Sequence, residues 1–238
     1  MTSNSFNVLV LIPARGGSKG IPNKNIIEVC GQPLIKYSID VALALKENNL
    51  VNTVLVSTDY QNIADLSIKL GAEVPFLRPP EFSADHSKTI DAIIHALDWF
   101  EKNQNKVFDA VLLLQPTSPL RSFEDLKKAI EIFNSNTVES LISVYKEEYI
   151  NDLVMYKLTA ADSAIGKPLN ELHNKGVRRQ DHGSVYVRNG SIYLSSVSLL
   201  RKGLIISDNP LLFEMPKSSS INLDTPEDLI LLRNTLCK

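Results

Sequence analysis

The stretch Leu11-Ile-Pro-Ala-Arg-Gly-Gly-Ser-Lys-Gly-Ile-Pro-Asn-Lys-Asn25 carries three cations, Arg15, Lys19 and Lys24, and no carboxylate occurs before Glu28. Its glycines let the backbone approach a ligand closely and turn N–H groups toward it, which suits a polyphosphate. No Gly-Lys-Ser/Thr closes the run and no Gly-x-Gly-x-x-Gly is present, so it is neither a Walker A loop nor a dinucleotide fingerprint. A solvated basic turn would leave the Gly-Gly pair and three cations, placed directly after an apolar run, without a reason.

Three further groups have chemical potential. Asn222 and Asp224 lie two apart and so share a face if the chain is extended there. Such an oxygen pair suits Mg2+, which needs only one or two carboxylates beside a phosphate, although capping of the last helix accounts for Asp224 equally well. Lys175, Arg178, Arg179 and Arg188 form a second basic cluster. Arginine forks match carboxylates, so an acidic small substrate fits, as does a solvated arm with scattered charge. Gln115-Pro-Thr-Ser-Pro-Leu-Arg121 offers amide and hydroxyl groups suited to sugar hydroxyls or a base edge, or simply ends a strand. Asp59 reads as a helix cap, and His86, His95, His173 and His182 have no ligand or triad spacing.

These groups need a scaffold. Short apolar runs at Val8–Ile12, Val54–Ser57, Glu73–Phe76, Ala110–Leu114 and Leu141–Tyr145 alternate with helical periodicity over Pro33–Lys46, Gln61–Leu70, Thr89–Phe100 and Phe123–Phe133. That alternation predicts an α/β fold with a doubly wound, mainly parallel sheet, in which ligands sit at the carboxyl ends of strands. The phosphate-type loop, Thr58-Asp59 and the Gln115 segment all follow such runs. Residues 146–184 break the pattern, as an interface arm would. The Asn189-Gly190 pair between two strand-like runs predicts a hairpin. Thr225, Pro226, Glu227 and Asp228 mark the start of a helix running to Leu236.

The chain has 238 residues, 44% of them hydrophobic and 22% charged, with 25 Lys plus Arg against 27 Asp plus Glu and a net charge of −2. These values fit a single folded domain over 1–238 with an inserted arm, and give no basic excess for a nucleic acid or a membrane surface. No run approaches the ~18 apolar residues of a membrane span. Cys30 and Cys237 sit at opposite ends and fit neither a disulfide framework nor a zinc spacing, so a reducing, cytoplasmic setting is expected.

The blocks IPARGGSKGIPNKN, LRPPEFSAD, QPTSPLRS, RRQD, VRNGSIY and LDTPEDL, in this order, resemble the N-acylneuraminate cytidylyltransferases. The resemblance implies a Rossmann-like fold of the nucleotide-diphospho-sugar transferase type and a reaction of CTP with a nine-carbon 2-keto acid sugar, giving CMP-sugar and pyrophosphate with Mg2+. It implies that Arg15, Ser18, Lys19, Lys24 and Asn25 hold the triphosphate, with Lys24 the main catalytic cation and Arg15 and Asp224 beside it. Arg78, Ser87 and Thr89 fall at the cytosine. Gln115, Arg179 and Asn189 fall on the sugar side, Arg179 at its carboxylate, and Asp224 with Asn222 at the metal. The segment near 146–184 matches a dimerisation arm, so a homodimer is expected. Asn222 stands where many of these enzymes have a second aspartate. Val187 stands where some have arginine, while Arg188 would point to the other face of a strand.

Overall fold

A computed structural model describes residues 6–17, 20–84, 86–176 and 183–237. Strand β1 (Val8–Pro13) is apolar along its length because both of its faces are covered. Val8, Val10 and Ile12 pack on one side with Ile35, Ile39, Ile63, Leu126 and Phe133, while Leu9 and Leu11 pack on the other with Ile93, Leu97 and Phe100. The helices on the first face are α1 (Leu34–Glu47), α2 (Gln61–Lys69) and α4 (Phe123–Asn134), and the second face carries α3 (Thr89–Gln104).

The remaining strands are β2 (Glu28–Val29) and β3 (Gln32–Pro33), which form a small hairpin, then β4 (Thr53–Ser57), β5 (Ala110–Leu113) and β6 (Ser140–Glu147). They are followed by β7 (Tyr156–Leu158), β8 (Gly166–Pro168), β9 (Val185–Ser196) and β10 (Leu211–Glu214). The main sheet runs β10-β6-β9-β5-β1-β4. Its pairings are parallel except at β9, which lies antiparallel between β5 and β6. Helices α5 (Val197–Arg201) and α6 (Pro226–Leu236) complete the chain, and no helix among the described residues is long and apolar enough to cross a membrane.

The doubly wound expectation therefore holds, with three local differences. Glu73–Phe76 is not a strand; Glu73 makes one parallel bridge to Leu55, and Pro75 cannot extend the ladder. The Asn-Gly pair is not a hairpin either. Strand β9 runs through it and bulges between the pairs Arg188–Val144 and Tyr193–Ile142, where Gly190 has φ 77° and so needs no side chain. The cysteines, read as unpaired, form a disulfide between Cys30 and Cys237 with Cα atoms 5.3 Å apart. Sequence distance misled here because α6 folds back onto the β2–β3 hairpin through Val29, Leu34, Leu223 and Leu232. The reducing setting inferred from free thiols loses that basis.

Within the arm, β7 and β8 form a separate antiparallel pair. Tyr149, Ile150, Val154, Tyr156, Leu158 and Ile165 are exposed around it. At its base Glu147 accepts from Lys217 Nζ at 2.7 Å and from the Tyr149 amide at 2.9 Å.

Candidate active site

A cleft of about 550 Å3 opens at the carboxyl ends of β1 and β5. The loop after β1 forms one wall and is pinned at several points. The Gly16 amide donates to Asp59 Oδ1 at 3.0 Å, and Asn25 Nδ2 donates to the Arg15 carbonyl at 2.9 Å. Asn25 is buried, so beyond touching the cleft it braces the loop from behind. A Cβ at Gly20 would stand 2.7 Å from the Asp224 carbonyl oxygen, so only glycine permits this approach. Ser18 and Lys19 lie outside the described residues.

Lys24 reaches across the cleft. Its Nζ donates to the Leu223 carbonyl and to Asp224 Oδ1, both at 2.9 Å. The Asp224 carboxylate also accepts from Asn222 Nδ2, so the two residues do meet as their spacing suggested. Capping does not explain Asp224, because Asp228 closes the capping box with Thr225 and accepts the Asp224 amide as well. The same segment is tied to the Gln115 loop through Leu223 N to Thr117 O at 2.8 Å and Ser118 Oγ to Asn222 Oδ1 at 3.3 Å.

The opposite wall carries Arg78, Ser87 and Thr89. Arg78 is buried; its amide donates to Thr58 O at 2.7 Å, its Nε to Ser83 Oγ at 2.9 Å, and Nη2 lies 3.9 Å from Asp59 Oδ1. Burial lowers its pKa, Asp59 opposes that shift and nearby Arg15 reinforces it. Asp59 thus joins the phosphate-type loop to Arg78, a role its reading as a helix cap missed; its place directly after β4 was the available signal. Ser87 Oγ is engaged with the Glu81 carbonyl at 2.8 Å.

Gln115 lines the floor. Beneath it Arg121 is buried and donates to the Gln115 carbonyl and, at 3.4 Å, to Ser38 Oγ, so an interior cation sets the Gln115 backbone. Asn189 requires a correction. It is buried behind the cleft and bonds Ser143 Oγ and Ser220 Oγ, while its neighbour Gly190 faces the site. A Cβ built at Gly190 would sit 3.6 Å from Ser118 Oγ and 3.9 Å from Gln115 Oε1 and Asn222 Oδ1. Arg179 lies outside the described residues. His95 is structural, packed against Phe76 and Phe82.

No group of three or more His, Cys, Asp or Glu side chains that could hold a metal exists among the described residues. The exposed Asp224 carboxylate and the Asn222 amide oxygen do fit a cation that keeps its waters and shares ligands with a substrate's phosphates. A hollow of about 680 Å3 between α3 and α5 is walled by Ile90, Ile94, Trp99 and Leu200 and includes none of the phosphate-loop residues.

A doubly wound sheet with a cationic, glycine-rich loop at the carboxyl end of β1 and an aspartate facing the same cleft fits a nucleotide-using transferase. Residues 9–201 match the cytidylyltransferase family, and the chain belongs to it. Among curated relatives, the pseudaminic acid cytidylyltransferase of Campylobacter jejuni is 33% identical over 93% of this chain and 92% of its own length. The CMP-N,N'-diacetyllegionaminic acid synthase of Legionella pneumophila is 34% identical over 94% and 93%. The N-acylneuraminate cytidylyltransferase of Streptococcus agalactiae is 32% identical over 93% of this chain but 51% of its own. A CMP:2-keto-3-deoxy-manno-octonic acid synthetase solved with CTP shares the fold, with TM-score 0.68 and 17% identity over 97% of this chain and 98% of the other.

Proposed function

We propose that the enzyme transfers CMP from CTP to the anomeric hydroxyl of a nine-carbon 2-keto sugar acid, N-acetylneuraminate or a close relative. The new bond joins the sugar oxygen to the α-phosphorus, the α–β phosphoanhydride breaks, and pyrophosphate leaves with the hydroxyl proton released. The observation that carries this reading is the Lys24–Asp224 pair facing Arg15 and Gln115 across one cleft. Such a transfer needs positioning and charge neutralisation rather than a covalent intermediate. The loop holding Arg15, with Lys24, would grip the triphosphate. Arg78, Ser87 and Thr89 would hold the cytosine end, and Gln115 would bind the sugar. Asp224 and Asn222 would hold Mg2+. Bound there, Mg2+ would neutralise charge on the triphosphate.

A legionaminic or pseudaminic acid is the second reading, favoured by relatives named for those sugars at comparable identity. The exposed apolar arm supports a homodimer, which light scattering would test, and the use of CTP supports a cytoplasmic reaction. The deciding assay is pyrophosphate release with Mg2+ and CTP across N-acetylneuraminate, legionaminate, pseudaminate and 3-deoxy-manno-octulosonate, with ATP, GTP and UTP as controls. Turnover with CTP and one nine-carbon acid is expected. Activity confined to the eight-carbon acid or to another nucleotide would overturn the assignment.

A further inference from the structure

A second chamber of about 440 Å3 opens beside the nucleotide cleft, and Lys88, Thr89 and Gln115 line both. Ile90, Leu113, Leu204, Ile205 and Ile206 give it an apolar side. Into this surface projects the guanidinium of Arg188, centred 5.9 Å from the Tyr193 ring. A guanidinium stacked on an aromatic face is held in orientation and keeps its N–H fork in plane for a partner. No carboxylate lies within ion-pair distance of Arg188 among the described residues, whereas Lys24 is already paired with Asp224 and Arg78 faces Asp59.

The β9 bulge explains the orientation. Arg188 pairs with Val144 just before the bulge, and Gly190 two residues later abuts Gln115 and Asn222. Asn189, between them, points into the interior to Ser143 and Ser220. Arg188 therefore sits on the cleft side of β9. Being on the opposite face from Val187, which seemed to remove it from the sugar side, is what brings it there.

We propose that Arg188 is a specificity-determining residue that binds the carboxylate of the sugar acid, the role the resemblance gives to Arg179, where that substrate enters the chamber beside Gln115. The inference rests on the proposed reaction, because an acceptor lying next to the α-phosphate must extend out of the nucleotide cleft, and this chamber adjoins it. The apolar side accepts the acceptor's carbon framework and acyl groups. A charged fork at the wall then distinguishes an acid from a neutral sugar.

The test is a cycle between residue and substrate. Wild type, Arg188→Met and Arg188→Lys are assayed with the accepted sugar acid and with its C1 carboxamide, with KM for CTP measured in parallel. In Arg188→Met the KM for the acid is expected to rise roughly tenfold or more, and the preference in kcat/KM for acid over amide to shrink by a similar factor. Arg188→Lys should recover part of both, and KM for CTP should stay within about twofold. An undiminished acid preference in Arg188→Met overturns the assignment, as does an equal rise in both KM values. Wild type that uses no sugar acid with CTP overturns the proposed reaction and this inference together, an outcome distinct from the other two.

Discussion

Lys24 Nζ and Asp224 Oδ1 stand 2.9 Å apart, joining residues that enter the cleft from opposite ends of the chain. The cation is largely enclosed and the carboxylate largely open, at 16% and 61% side-chain exposure. In the proposed reaction a phosphate arriving at Lys24 would meet a cation already oriented by Asp224 and by the Leu223 carbonyl, so little reorganisation would accompany binding.

Lys24→Ala should therefore lower kcat by roughly 100-fold or more, the usual size for a group that stabilises developing charge. Stability should change by about 1 kcal/mol or less, since a partly exposed pair contributes little to folding. Steady-state kinetics with thermal unfolding checks both, and near wild-type turnover would remove Lys24 from the reaction.

Asp224→Asn keeps the shape of the side chain and removes its charge. The Mg2+ concentration for half-maximal turnover should then rise by about tenfold, because two neutral amide oxygens replace a pair that included a carboxylate. Superimposable Mg2+ titrations of variant and wild type would reduce Asp224 to a partner of Lys24.

At Gly20 the argument is steric. A methyl group there would press on the Asp224 carbonyl oxygen at 2.7 Å, whereas nothing lies within 4 Å of the corresponding position at Gly17. Gly20→Ala should destabilise by roughly 1–3 kcal/mol and depress kcat by moving the loop away from Asp224, while Gly17→Ala should be close to neutral for stability. Equal melting temperatures for the two variants would show that the loop and the start of α6 do not need this contact.

What the sequence disclosed follows from what each feature depends on. β1, β4 and β5 were legible because burial on both faces demands unbroken apolar runs, and the loop after β1 because its chemistry is local. The start of α6 was marked by its own capping residues. Features set by distant packing were not legible. The Cys30–Cys237 pairing depends on α6 docking against β2–β3, and the inward turn of Asn189 depends on a bulge that an Asn-Gly pair also permits. Arg121 looked like the end of a motif, and its burial under Gln115 exists only once α1 and the Gln115 loop close over it.

The disulfide gives a separate prediction. It closes a loop with a sequence separation of 207, so its loss should destabilise by up to about 5 kcal/mol. Cys237→Ser should melt lower than wild type, a reductant should lower the wild type to the same point, and the variant should not respond to it. A wild type indifferent to reductant would mean that the bond contributes nothing measurable.

Glu147 links the sheet to the arm and should make that junction sensitive to acid. The hydrogen bond from Lys217 chiefly, then that from the Tyr149 amide, holds its carboxyl down from 4.5 to about 2, although burial opposes them and Ile150 helps. Because the folded pKa is depressed, the stabilisation is complete above about 4.5 and is lost as pH falls toward 2. Melting temperature measured across that window should fall more steeply for wild type than for Glu147→Gln, which has no charge to lose. At pH 7 the variant should be the less stable of the two, since Lys217 then faces a neutral amide. Parallel pH profiles for the two proteins would show that the acid sensitivity of the junction arises from other carboxylates.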